Sequence, residues 1–209
     1  MIIELSKISE FISSSKEDLL IIGQPKGIGL TTEIVTFFCD ALFFEEDCYI
    51  LILCDDTKSK SYIINLAKDI LSLNYSYDAT YDYNNNFMKV YNNVLSVIAY
   101  KKYDKSNFTT DKVDFKFKYS YVDKDDNNDL LNYYISVYLP PISKQMIVAT
   151  YDTPTSLYYI GDFEGKIKKV IVNSENQKEN ISKMYDNEVY TLEYETILKG
   201  KFNNEIHNK

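Results

Sequence analysis

An α/β fold, with a parallel sheet flanked by helices and an inserted β-hairpin, is predicted by three features of the 209-residue sequence. First, residues 18–23 and 48–54 (CYILILC) are apolar runs too short for helices, as in buried parallel strands. Second, each run is followed by helical spacing. Ile34, Val35, Phe37, Phe38, Ala41 and Leu42 form one apolar face, and Tyr62, Ile63, Leu66, Ile70 and Leu71 form the next. Strand, helix, strand, helix at this spacing builds right-handed βαβ units. Third, FMKVY and VLSVIAY alternate on either side of Asn92-Asn93, which is a hairpin pattern.

The remaining elements follow in chain order. Leu5, Ile8, Phe11 and Ile12 predict an amphipathic helix over residues 3–13. The second of the two central helices is expected to be capped by Thr57 or Ser59. Residues 101–112 form a connection. Residues 113–122 alternate Phe115, Phe117, Tyr119 and Tyr121 with polar partners, which periodicity alone assigns to a half-exposed strand. A helix over 129–139 is expected to stop at Pro140-Pro141, followed by a buried strand over 145–151. A strand over 166–172, a polar helix over 176–185, an aromatic and acidic helix over 188–198 and a flexible tail over 201–209 complete the chain. No internal repeat or long linker divides it, so residues 1–200 are expected to form one domain.

Composition narrows the chemistry. Hydrophobic residues at 45% with 26% charged are ordinary globular values, so disorder is not the expectation. No run approaches the roughly 18 apolar residues of a membrane span, and residues 1–11 carry an early acid without a cleavable apolar core. A non-secreted protein without membrane contact is expected. The net charge of −8 does not support tight nonspecific DNA binding, so contact with DNA would have to be local. All 23 basic residues are lysine, which excludes bidentate guanidinium forks and any arginine finger from this chain. Cys39, Cys48 and Cys54 match no metal spacing and read as buried reduced thiols. The only histidine, His207, lies in the polar tail, which excludes histidine triads and His-ligated metals.

The stretch LLIIGQPKGIGLTT gives the chain its chemistry. A strand that turns tightly into a helix aims backbone N–H groups and the positive end of a helix dipole at one point, where an anion fits. The standard phosphate loop reads G-x-x-x-x-G-K-[ST]. Here Gln24 replaces its first glycine and Leu30 its lysine, while Gly29 and Thr31 are kept. The sheet is therefore P-loop NTPase-like, with the loop's main charge missing.

The order of these segments resembles the ATPase domain of viral terminase large subunits, the motors that pump DNA into phage and herpesvirus capsids. The likeness spans almost the whole chain. Lys26-Gly27-Ile28-Gly29-Leu30-Thr31 resembles a deviant loop of that family that carries Arg-Gln-x-Gly-x-Thr, with Lys26 in the place of the arginine. MKVYNNVLSVIAY stands where terminases carry a hairpin. KYSYVDKDD stands where their apolar strand ends in Asp-Glu, QMIVATYDTP resembles their coupling motif, and VYTLEYETILKG resembles the segment that closes the domain. The resemblance ends there, and the nuclease domain that normally follows is expected to be absent.

The resemblance implies a nucleotide site made of Gln24, Lys26, Gly27, Gly29, Thr31 and Thr32, with ATP and Mg²⁺ as cofactors. It implies Thr31 and Asp123 as the metal side, Asp123 and Asp125 as catalytic carboxylates, and Thr150 and Thr153 as coupling residues. Plainer roles stand beside each of these. Lys26 reads equally as a solvated loop lysine, Thr31 as a helix cap, Asp123 as a strand-end acid and Thr150 with Thr153 as turn chemistry. Asp125 or Asp126 would have to replace the expected glutamate, because Lys124 follows Asp123. Lys166, Lys168 and Lys169 are either a DNA contact or a solvated face. Three functions compete: a packaging ATPase domain whose missing cation comes from a partner, a catalytically dead pseudo-ATPase serving as a structural or interaction subunit, and an unrelated α/β binding module. The first two imply a homo- or hetero-oligomer with viral packaging or virion proteins, in the host cytoplasm or the virion.

Overall fold

The computed structural model describes residues 2–24, 28–100, 116–124, 135, 138–151 and 165–173. Its strands are β1 (Ile2–Glu4), β2 (Leu19–Gln24), β3 (Tyr49–Cys54), β4 (Tyr81–Asp82), β5 (Phe87–Val90), β6 (Asn93–Ala99), β7 (Phe117–Lys124), β8 (Ser143–Tyr151) and β9 (Ile167–Asn173). The α-helices are α1 (Ile8–Ser14), α2 (Leu30–Phe44), α3 (Thr57–Tyr75) and the short α4 (Leu139–Ile142). All nine strands form one sheet in the order β1-β9-β2-β8-β7-β3-β6-β5-β4. Pairing is parallel from β1 through to β6 and antiparallel for β6 with β5 and β5 with β4. The predicted class, a helix-flanked parallel sheet with an added hairpin, is the observed one.

Alternation along the strands splits the interior in two. Leu20 and Ile22 of β2, Ile50 and Ile52 of β3, and Tyr119 and Tyr121 of β7 face α1, α2 and α3. Leu19, Ile21, Leu51, Leu53, Val122, Met146 and Val148 point the other way, onto Tyr100, Ile135, Tyr138 and α4. With both faces covered, the central strands read as continuous apolar runs. β7 is therefore not the half-exposed strand that its alternation predicts. Phe117, Tyr119, Tyr121 and Val122 are all buried, and its polar Ser120 is accommodated by a hydroxyl pair with Ser143 at 2.5 Å.

Other differences have equally local causes. The predicted helix over 3–13 is divided: Ile2–Glu4 pairs in parallel with Ile171–Asn173, a 3-10 turn (Leu5–Lys7) follows, and helix begins only at Ile8. Pairing at the sheet edge overrides helical spacing there. Helix α3 is capped by Asp56, whose Oδ1 accepts from the Ser59 N–H at 2.8 Å, and not by Thr57 or Ser59. Pro140 and Pro141 sit at the first positions of α4, where a missing N–H is harmless, and do not end a helix at this point. β4 has only two residues and left no periodic signal. The predicted helices over 176–185 and 188–198, the connection over 101–112, Phe115, most of the helix over 129–139 and the tail over 201–209 lie outside the described residues.

The hairpin turn is Tyr91-Asn92, one residue earlier than expected, because Val90 pairs with Asn93. Asn93 is drawn inward by three bonds. Its Oδ1 accepts from the Cys48 N–H at 2.7 Å, while its Nδ2 donates to the Leu42 and Glu45 carbonyls, each at 2.7 Å. One 3% exposed amide thus ties the end of α2, the start of β3 and the start of β6. Leucine at this position would fill similar space and leave an N–H and two carbonyls unsatisfied. The expected loss for Asn93→Leu is about 2–4 kcal/mol, read from the urea midpoint; an unchanged midpoint would show the clamp to be dispensable.

Candidate functional site

The carboxyl ends of β2, β8 and β7 lie level, because Gly23 pairs with Thr150 and Asp123 with Ala149. In parallel sheets, ligands bind beyond this edge. The chain leaving β2 enters α2 through Gly29, whose φ of +93° lies in the left-handed region that favours glycine. Gly29 occupies the N-cap position and, having no side chain, gives the first N–H groups of the helix no cap of its own. Leu30 is 1% exposed and belongs to the core. The position that carries lysine in a standard phosphate loop is thus turned away from any ligand.

Thr31 comes next and takes part in the site. It lies inside the first turn of α2 and is not its cap, and its Oγ1 donates to Asp123 Oδ2 at 3.4 Å across 92 residues of sequence. Asp123 follows Tyr119 and Tyr121 on the face of β7 that α2 covers. The two residues that the order of segments singles out for a metal are therefore brought together. Both line a cavity of about 400 Å³ with Lys58, Ser59, Tyr62 and Ile63 of α3. That size falls within the range of small-molecule sites.

The α3 residues were not among the sequence-predicted site residues. Their spacing does show in the sequence, since 58 with 62 and 59 with 63 are four apart and share a helix face. What could not be read was that β3, which feeds α3, pairs directly with β7. Thr32 also lies in the first turn of α2, where its carbonyl accepts from Thr36 Oγ1 at 2.9 Å. Gln24 ends β2, opposite Tyr151. Lys26, Gly27, Asp125, Asp126 and Thr153 lie outside the described residues.

Thr150 shares the sheet edge but not the face. It continues the alternation of Met146 and Val148, away from α2, and the Oγ1 of this 1% exposed residue has no hydrogen-bond partner among the described residues. Lys124 stands level with it in the backbone register. The lysines at the start of β9 are dispersed: Lys166, just before the strand, is exposed, whereas Lys168 lies 3.8 Å from Glu17 and over the Phe11 ring.

Neither a protein family nor a curated protein matches the sequence. Solved structures do match the fold. The large terminase of a thermophilic bacteriophage aligns with a TM-score of 0.55 over 90% of this chain at 12% identity. The ATPase domain of the Thermus phage P74-26 large terminase aligns with 0.55 over 90% at 8% identity. The fold is that of a phage large terminase ATPase domain. The HK97 bacteriophage large terminase gives 0.52 over 95% of the chain at 8% identity. The chain spans 51% of the first of these terminases and 47% of the HK97 protein, and 89% of the P74-26 ATPase domain. The terminase-type ATPase fold of the described residues is the one that the order of the segments predicts.

All three cysteines are free and buried. Burial raises each thiol to about 12, and for Cys54, at the end of β3, the charge of Asp123 adds to the effect. Thiolate, the reactive form, is therefore scarce at neutral pH. Ellman's reagent at pH 8 is expected to label none of the three until urea unfolds the protein; rapid labelling of the folded chain would contradict this.

Proposed function

We infer that this chain is a viral or phage terminase-type domain that binds ATP with Mg²⁺, hydrolyses it weakly or not at all, and serves DNA packaging. One observation carries this: the Thr31 hydroxyl and the Asp123 carboxylate meet at the glycine-capped start of α2, in a cavity of ligand size. The donor set suits the metal. Mg²⁺ takes oxygen ligands, keeps several waters and is held by one or two carboxylates together with substrate phosphates. No group of three or more His, Cys, Asp or Glu side chains that could hold a metal occurs among the described residues, so the phosphates would complete the shell. When bound, the ion would neutralise charge on the phosphates. Thr31 and Asp123 would position it, the N–H groups of α2 would hold phosphate oxygens, and Lys26 would approach the β- and γ-phosphates from the preceding loop.

Poor hydrolysis follows from what the chain lacks. Lys124 replaces the glutamate that would activate water, and no arginine exists to act as a finger. Losing a group that stabilises transition-state charge costs on the order of 10²- to 10³-fold, and a finger contributes about 10³- to 10⁵-fold. Asp125 is the candidate carboxylate for the missing role, with Thr150 and Thr153 as coupling residues. Efficient turnover would require a cation from a neighbouring subunit or a packaging partner. A second role, as a pseudo-ATPase that acts as a structural or interaction subunit, is favoured by the burial of Leu30. Residues 1–200 are taken as one domain with a 201–209 tail, acting in the host cytoplasm or virion. Among the described residues no helix is long and apolar enough to cross a membrane.

Calorimetry with a non-hydrolysable ATP analogue and Mg²⁺ tests the proposal. Binding is expected to weaken about tenfold or more on Asp123→Ala and on Lys26→Ala, and to need Mg²⁺ in the wild type. Absence of binding at millimolar nucleotide would leave only the structural role.

A further inference from the structure

We propose that Lys58, on the first turn of α3, supplies the cation that faces the terminal phosphate of the bound nucleotide. The inference rests on the nucleotide site described above and adds a residue that the phosphate loop does not contain. It starts from a charge deficit. A magnesium-bound triphosphate still carries negative charge, yet Leu30 is buried where the loop lysine would stand and the chain has no arginine. Beyond Lys26, positive charge supplied by this chain itself has to come from another lysine at the cavity.

Among the described residues, Lys58 is the lysine that lines the cavity with Thr31 and Asp123. It is exposed, and among the described residues its ammonium has no hydrogen bond, ion pair or ring contact, although Asp55 and Asp56 precede it closely in sequence. Asp56 is instead engaged as the cap of α3. Lys60, two residues further on, donates to Asn86 Oδ1 at 2.5 Å and lies 5.4 Å from the centre of the Tyr81 ring. The first turn of α3 thus holds one lysine committed to the protein and one left at the cavity. A lysine head is a compact point charge on a flexible four-carbon stem and can follow a phosphate across the cavity.

Strand order decides which phosphate it meets. The order β2-β8-β7-β3 places the end of β2 on one side of Asp123 and the end of β3, from which α3 follows, on the other. A triphosphate seated on the first turn of α2 and extending toward Asp123 ends on the α3 side. Lys58 therefore reads the γ-phosphate and distinguishes ATP from ADP, whereas Thr31 and the α2 N–H groups serve both nucleotides.

The test is calorimetry of the full chain with Mg²⁺ and either AMP-PNP or ADP, using wild type, Lys58→Ala and Lys58→Arg. Lys58→Ala is expected to weaken AMP-PNP about tenfold and to leave ADP within about twofold, with Lys58→Arg restoring most of the difference. Wild-type binding with unchanged AMP-PNP affinity in Lys58→Ala would overturn the role of Lys58 alone. Equal losses for AMP-PNP and ADP would do the same, because the residue would then not read the γ-phosphate. A wild type that binds neither nucleotide would remove the nucleotide site and this role with it. Lys58 is exposed, so the urea midpoint of each variant is expected to match that of the wild type, which separates binding loss from unfolding.

Discussion

Aromatic packing between α2 and β7 holds the functional end of this molecule together. Phe37 meets Tyr119 edge-on with ring centroids 5.2 Å apart, and Phe38 meets Tyr121 at 6.1 Å. Such pairs contribute about 0.5–1.5 kcal/mol each beyond the area they bury. More important is their direction. They fix the axis of α2 along β7, so the first turn of the helix lies where the strand ends. Thr31 and Asp123, separated by 92 residues, meet because the aromatic rows between them are in register. The hydrogen bond at the site is a consequence of packing elsewhere along the same two elements.

Much of this could be read from residues before any coordinates. Short apolar runs, helical faces and a hairpin specify a layered sheet, and the LLIIGQPKGIGLTT stretch locates its loop. Thr31 and Asp123 were identifiable as a pair from the order of segments. The α3 wall of the cavity was not, because the pairing of β3 with β7 is a long-range event that no local pattern encodes. The same limit hid the parallel pairing of β1, whose three residues look helical until β9 is placed beside them. Asn93 illustrates a different failure. Asparagine next to asparagine signals a turn, and only the open bonding groups at Leu42, Glu45 and Cys48 show why one of them is buried.

Lysine serves as the only strong cation of this chain, and that shapes what its site can do. An ammonium is a mobile point charge, suited to neutralising a phosphate and poorly suited to clamping one in a single orientation. Tight binding and fast chemistry make separate demands. The first needs summed charge, which lysines deliver; the second needs groups held still at the moment charge develops, which a flexible stem does not provide.

The amide of Asn93 has a mechanical meaning as well. Helix α2 has 15 residues, a length of about 22 Å, and its far end is secured by that amide and by Phe43, which stacks on Tyr75 at 4.3 Å. Tyr75 in turn donates its hydroxyl to Asp40 on α2. At the end bearing Thr31 the N-cap is Gly29, which has no side chain to offer, and the first turn is anchored by the buried Leu30. The two ends of the helix are therefore held by different means, polar bonds and ring stacking at the far end and apolar burial at the near one. A change in charge at the sheet edge would therefore meet a helix whose first turn is anchored by Leu30, leaving the Thr31 hydroxyl and the Asp123 carboxylate as the groups able to turn in response.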